Sequence, residues 1–138
     1  MNNEKDNVYD LVEDFYAHDE GWNTLLRQEY AEGFLRMEAW KGKKNSDLYR
    51  SWDNLTMLCL YLGSAETFLG DMNADDFIDC IAWCGRNISE FTPDYKNTQD
   101  FLETCDGLFK YLKGKNAISN DTVPATAAER LLQEGKMS

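Results

Sequence analysis

The apolar residues of this chain recur at intervals of three and four along almost its whole length. This spacing puts side chains on one face of an α-helix, so each apolar stripe predicts a helix with one buried face. No segment alternates between apolar and polar residues, which is the pattern of a half-buried strand. A chain of 138 residues, 43 % of them hydrophobic, is long enough to bury one core. We therefore predict an all-α fold, a single compact bundle of five to six helices over residues 1–138.

The stripes and the punctuating residues place six helices. Their predicted bounds are about 5–18, 22–40, 46–62, 74–87, 93–113 and 126–135. Gly63, Gly114 and Gly135 are predicted to end the third, fifth and sixth helices, because glycine adopts the left-handed C-cap conformation without strain.

Two polar patterns predict helix starts. Thr92 followed by Pro93 has the order of an N-cap and a first helical residue, which predicts the start of the fifth helix. Thr126 followed by Glu129 has the spacing of a capping box, which predicts the start of the sixth. That last helix is short and rather hydrophilic, so loose packing is expected.

The stretch "GDMNADDFIDC" has five oxygen-bearing side chains among its eleven residues and suggests a calcium loop. Asp71, Asn73 and Asp75 match the first three ligand positions of a calcium-binding helix–loop–helix. Position six of that loop requires glycine and position twelve a bidentate Glu, but these positions hold Asp76 and Ala82. The stretch therefore departs from the motif at two essential positions.

A helix start explains the same acidic stretch without a ligand. Asn73 is predicted to cap the fourth helix, and Asp75 and Asp76 lie in the first turn, where negative charge favours the positive end of the helix dipole. Asp79 is predicted to face solvent. We prefer this interpretation.

The four cysteines are predicted to be reduced core thiols. Cys80 and Cys84 share one helix face, whereas Cys59 and Cys105 are expected to stand alone. A zinc site needs four Cys or His ligands, and the single His18 is remote from the Cys pair in sequence. Free Cys is among the most buried residue types. We predict no metal ligand and no cofactor.

Charge and hydropathy constrain partners and location. The formal charge of −11 disfavours nonspecific binding to phosphate backbones or anionic lipids. The first twenty residues are acidic and lack a continuous apolar run, so no secretion signal is expected. No segment approaches the roughly eighteen apolar residues of a membrane span. We predict a cytoplasmic protein without a membrane partner.

No residue pattern predicts an enzyme. The chain has no glycine-rich phosphate loop, no nucleophile elbow and no two-histidine metal motif. Seven aromatic residues follow helical spacing and are predicted to lie in the core: Trp22, Tyr30, Trp40, Tyr49, Trp52, Tyr61 and Trp83. An alternative is a small-molecule pocket among the Trp residues, which requires a concave cavity with convergent polar groups. We predict no catalytic residue.

Three consecutive patterns resemble a known family. They are "NSDLYRSWDNLTMLCLYLG", "MNADDFIDCIAWC" and "NTQDFLETCDGLFKYLKGKNAIS". In this order they resemble the SAM-like core-binding domain of tyrosine recombinases and phage integrases. The resemblance implies a core-binding bundle over residues 45–121, preceded by N-terminal helices in 1–40 and followed by a short helix in 122–138. The chemistry of that family belongs to a separate catalytic domain, to which the resemblance does not extend.

The resemblance also gives the basic residues an expected role. They form two clusters: Lys41, Lys43, Lys44 and Arg50, and then Lys110, Lys113 and Lys115. In a recombinase-like bundle such helix ends face a phosphate backbone, and neutralising phosphates gives salt-sensitive binding. The alternative is that "KGKK" is a solvated loop, and that Lys110 and Lys113 complement the negative end of the fifth helix.

Two functions from different classes follow. The first is a non-enzymatic, acidic helical protein-interaction domain whose partner is a basic protein or a second copy; it requires an exposed apolar patch of several hundred Å². The rival is a degenerate recombinase-like DNA-binding core module without a catalytic domain. It requires the two basic clusters to converge on one face.

Overall fold

The computed structural model of the protein describes residues 7–134, which fold into six α-helices with no strand among them. The helices are α1 (Val8–His18), α2 (Gln28–Trp40), α3 (Asn45–Ala65), α4 (Ala74–Asn87), α5 (Tyr95–Gly114) and α6 (Val123–Gln133). Short 3-10 turns at Glu20–Thr24 and Leu69–Asp71 precede α2 and α4. The predicted all-α class and helix number are confirmed, and so are the bounds of α4.

The buried faces of all six helices meet in one hydrophobic core. Its largest fully buried side chains include Phe34, Phe77, Phe101 and Phe109. α3 packs against α1, α2, α4 and α5, and α5 packs against α2, α3 and α6, while α6 also packs against α4. Phe77 of α4 meets Phe109 of α5 edge to face, with 5.4 Å between ring centroids. The short α6 is therefore a full member of the bundle, contrary to the loose packing expected of it.

The helices α3 and α5 run parallel, joined by a buried polar contact. The Asn54 side-chain amide donates to Oδ2 of Asp100 at 3.0 Å and to Oγ1 of Thr104 at 2.9 Å. Arg50, one turn earlier in α3, lies 3.9 Å from Asp100. Arg50 contacts Asp100, and Asn54, four residues later, contacts Thr104, also four residues later. Residue numbers therefore increase in the same direction along the two helices. The start of α3 therefore lies beside the start of α5.

The predicted end of the third helix at Gly63 is wrong. α3 continues to Ala65, and the residue in the left-handed conformation is Glu66, with φ 54°. The Glu66 amide donates to the Leu62 carbonyl and closes the helix there. Gly63 lies inside the last turns, so its conformational freedom is not used.

Substitution of Gly63 by alanine is therefore expected to stabilise the protein by about 0.5–1 kcal/mol, because glycine inside a helix carries an entropic cost relative to alanine. A Cβ at this position would meet Leu25 and Trp22 at 3.8 Å, an ordinary van der Waals distance. Urea unfolding measures the change. Gly42→Ala is the matched control, since Gly42 has φ +106°, and alanine there should destabilise by at least about 1 kcal/mol. Destabilisation by Gly63→Ala would place the end of the helix at Gly63 after all.

Two predicted helix starts are also wrong, because another residue supplies the cap. Asp94, not Thr92, caps α5, and its carboxylate accepts from the Asn97 amide at 2.8 Å. α6 begins three residues earlier than predicted, with Pro124 in its first turn, so Thr126 lies inside the helix. α5 ends within one residue of the prediction, but Gly114 is its last helical residue rather than a left-handed cap, and the residue with a positive φ is Asn116, at 60°.

The predicted helix over 22–40 is interrupted, because residues 20–24 form a 3-10 turn and α2 begins only at Gln28. The buried Tyr16 hydroxyl of α1 donates to the Leu26 carbonyl in that interruption. The predicted start of the first helix near residue 5 and the predicted end of the sixth at Gly135 lie outside the described residues.

Candidate interaction surfaces

The acidic stretch is a helix start, as predicted. The Asn73 side chain accepts from the Asp76 amide and the Asp76 carboxylate accepts from the Asn73 amide, each at 2.9 Å, which completes a capping box. Asp75 forms an ion pair with Arg130 of α6 at 2.7 Å. Asp79 is exposed. The carboxylates at residues 75 and 76 therefore have structural roles in starting α4 and joining it to α6.

All four cysteines are buried free thiols, as predicted. Burial raises the pKa of Cys59 to about 12 and that of Cys105 well above its ordinary value. A hydrogen bond with Cys80 lowers the pKa of Cys84. Within residues 7–134, no group of three or more His, Cys, Asp or Glu side chains is placed to hold a metal ion.

The prediction that all seven aromatic residues lie in the core is wrong for Trp40. Trp52 and Tyr61 are buried, and four others pack partly buried against the core: Trp22, Tyr30, Tyr49 and Trp83. The Trp40 side chain is 89 % exposed. Trp40 lies on the opposite side of α2 from the buried Ala31. A helical-wheel projection therefore indicates the exposure of Trp40, which apolar spacing alone does not.

Trp40 begins a basic loop, residues 40–44, which we name the Trp40 loop. Gly42 adopts a positive φ of 106°, which turns the chain between α2 and α3. Lys43 is tied back to Glu38 of α2, whose Oε2 lies 3.2 Å from Nζ and whose backbone carbonyl accepts from the Lys43 amide at 3.1 Å. Among the described residues, Lys41 and Lys44 form no ion pair. The loop is thus held in place while two ammonium groups and an indole face solvent.

Other members of the two basic clusters already interact with neighbouring side chains. Arg50 lies 3.9 Å from both Asp47 and Asp100. Lys110 pairs with Asp106 at 2.7 Å, and the Lys115 ammonium lies 5.5 Å from the Tyr111 ring centroid. Lys113 is exposed in the last turn of α5.

The structure does not bring the two basic clusters together. Arg50 lies level with Asp100 near the start of α5, whereas Lys113 lies near its end. At the rise of an α-helix, the thirteen residue steps from Asp100 to Lys113 span about 20 Å. Glu103 and Asp106 lie between them on α5. The lysines of the Trp40 loop and those at the end of α5 therefore lie at opposite ends of the parallel pair.

A groove of about 300 Å³ between α5 and α6, which we name the α5–α6 groove, offers apolar surface to solvent. Its apolar lining consists of Tyr95, Leu102, Pro124, Ala125, Ala128 and Leu132. Leu132 is 52 % exposed and Tyr95 41 %. Three carboxylates also line it: Glu103, Asp106 and Glu129. No sequence pattern singled out these residues, because the groove exists only where two helices lie side by side.

A second groove, of about 450 Å³, lies between α3 and α5 and the segment that joins α4 to α5. Met57, Leu60 and Phe91 line one part of it, and the Asn54 contact with Asp100 lines another. Burial raises the pKa of Asp53 in its wall. Neither groove is lined by a Trp, so the predicted alternative of a ligand pocket among the Trp residues does not apply to them.

None of the described helices is both long and apolar enough to cross a membrane. In comparisons with known proteins, no family model, no curated protein and no solved structure matches this chain. The SAM-like core-binding type of the bundle therefore stays a prediction from sequence pattern. The surfaces of the described residues that are candidates for binding are the α5–α6 groove and the Trp40 loop.

Proposed function

We propose that this chain is a non-enzymatic, acidic helical protein-interaction domain that binds a basic segment of its partner in the α5–α6 groove. The observation that carries the proposal is the combination of half-exposed apolar side chains with carboxylates around one groove. A partner fills such a groove best when apolar side chains enter it and basic side chains flank it.

The apolar lining supplies the driving force. Leu132 and Tyr95 project from α6 and α5 with about half of their surface in water. Removing apolar surface from water contributes about 25 cal/mol per Å², and aromatic residues are enriched at interface cores. An amphipathic helix that lays its apolar face into a groove is a recurring mode of peptide recognition.

The charge distribution selects the partner. Glu129 is exposed and forms no ion pair among the described residues, and Glu103 only accepts from Gln99, at 3.3 Å. The net charge of −11 attracts a basic partner and accelerates its association at low salt.

Two further observations favour this proposal over its alternatives. The separation of the two basic clusters disfavours the DNA-binding core module, which requires them on one face. All four thiols are buried, and burial raises the pKa of Cys59 and Cys105, which keeps these two nucleophiles protonated and away from solvent and favours a non-enzymatic role.

The proposal is tested by titrating the isotope-labelled protein with a lysine-rich amphipathic helical peptide and following backbone amide shifts. Shifts are expected to concentrate at Tyr95, Leu102, Ala128 and Leu132. Leu132→Asp should weaken binding at least about tenfold, equivalent to about 1.4 kcal/mol, because it puts a charge into the apolar floor.

The matched control is Leu11→Asp, which changes another partly exposed leucine, 39 % exposed, on α1. It should leave the dissociation constant unchanged. A peptide of the same pattern with glutamate in place of lysine should not bind. Equal effects of the two leucine variants, or equal binding of the two peptides, would contradict the proposal.

A further inference from the structure

We infer that the Trp40 loop of one molecule docks in the α5–α6 groove of a second copy. The inference names the partner for the proposed function and rests on that function. Its basis is that one chain carries both a basic, indole-bearing loop and an acidic, apolar groove.

The exposed indole of Trp40 is the first observation that supports this inference. Tryptophan is highly buried on average, and it is the residue type most enriched among interface hot spots, together with Tyr and Arg. The Trp40 side chain is 89 % exposed, more than any other large hydrophobic side chain of the described residues. Trp40 is therefore the largest apolar side chain that this surface offers to a partner.

Charge complementarity is the second step. The indole is flanked by Lys41 and Lys44, which form no ion pair among the described residues. A binding site for the Trp40 loop should therefore combine apolar side chains, which contact the indole, with nearby carboxylates, which pair with the lysines. The α5–α6 groove provides both, with Leu132 in the floor and Glu103 and Glu129 beside it.

The short connection between α2 and α3 requires the contact to be intermolecular. Only four residues, 41–44, join α2 to α3, and both helices are packed into the core. Lys43 holds the loop against Glu38 of α2 through a side-chain ion pair and a backbone hydrogen bond. The loop cannot leave these helices to reach a groove on α5 and α6 of its own chain.

The expected association is weak and reversible. One indole and a few lysines bury less surface than the roughly 1,200 Å² of a stable interface. Two copies also repel each other through a net charge of −11 on each. Self-association is therefore expected at hundreds of micromolar protein rather than at nanomolar concentrations.

Sedimentation equilibrium of the full chain between 10 µM and 1 mM tests the inference. The unaltered protein should self-associate, whereas Trp40→Ala and Leu132→Asp should each remain monomeric. An equimolar mixture of these two variants should form a one-to-one complex, because one intact loop then meets one intact groove. Phe68→Ala, at another exposed aromatic side chain (56 % exposed), is the matched control and should associate normally.

A monomeric protein at 1 mM, self-association that survives Trp40→Ala, or a mixture that stays monomeric would each overturn the inference. The peptide titration separates this failure from failure of the proposed function. If the basic peptide binds the groove while the protein stays monomeric, the groove has a different partner and only self-docking is wrong. If the peptide does not bind either, both are wrong.

Discussion

Replacement of Phe77 by alanine is expected to lower the free energy of unfolding by about 3–5 kcal/mol, the usual cost of truncating a buried phenylalanine. Phe77 is fully buried and meets the Phe109 ring, 5.4 Å away, between α4 and α5. The variant loses the transfer free energy of the ring and leaves a cavity that the two helices cannot close. Since small domains are stable by only about 5–15 kcal/mol, the loss is large.

Urea unfolding followed by circular dichroism at 222 nm measures this effect, with the denaturant dependence expected to stay constant. Phe68→Ala is the matched control, because Phe68 is 56 % exposed, and it should change the free energy by less than about 0.5 kcal/mol. A cost below 1 kcal/mol for Phe77→Ala would mean that the α4–α5 contact does not form as described.

Replacement of Asn54 by aspartate is expected to have the second largest effect, about 3 kcal/mol of destabilisation at pH 7. The change is nearly isosteric, but it puts a carboxylate where an amide donates to Asp100 at 3.0 Å. Asn54 itself is only 5 % exposed. Asn54→Ala removes the same hydrogen bonds without adding charge and should cost less, about 1–3 kcal/mol.

The charge of the new carboxylate makes the destabilisation by Asn54→Asp depend on pH. This pH dependence distinguishes the electrostatic cost of the substitution from the cost of lost packing. Two carboxylates at this distance raise the folded-state pKa of the pair above the unfolded value of about 3.9. Relative to the unaltered protein, Asn54→Asp is therefore most destabilising well above that pKa, and the destabilisation decreases as the pH falls toward 4. The cost of Asn54→Ala should stay nearly constant over the same range. Equal pH dependence of the two variants would show that Asp100 does not lie beside position 54.

Local patterns predicted the parts of the fold that local interactions decide. The bounds of α4 were predicted correctly, because its cap is a pair of side chains, Asn73 and Asp76, only three residues apart. The burial of the cysteines followed from residue type alone. The end of α3 was predicted wrongly, because the helix continues through Gly63 to Ala65 and the left-handed residue that ends it is Glu66, not a glycine.

The candidate site was not predictable in the same way. Leu131 and Leu132 are adjacent identical residues, yet one is 5 % and the other 52 % exposed. Only the placement of α6 against α4 and α5 decides which of them faces the core. Trp40 lay within reach of prediction, since its position around α2 opposes the buried face, but apolar spacing by itself does not fix which face is buried.

The sequence by itself determined that this chain is helical, where most of its helices lie and that its surface is acidic, because spacing, caps and charge act over a few residues. The tertiary structure decided which surfaces exist. Parallel packing of α3 and α5 separated the two basic clusters, and the placement of α6 beside α5 created the groove that the Trp40 loop complements. Those relations join residues distant in sequence, and only the packing of a shared core sets them.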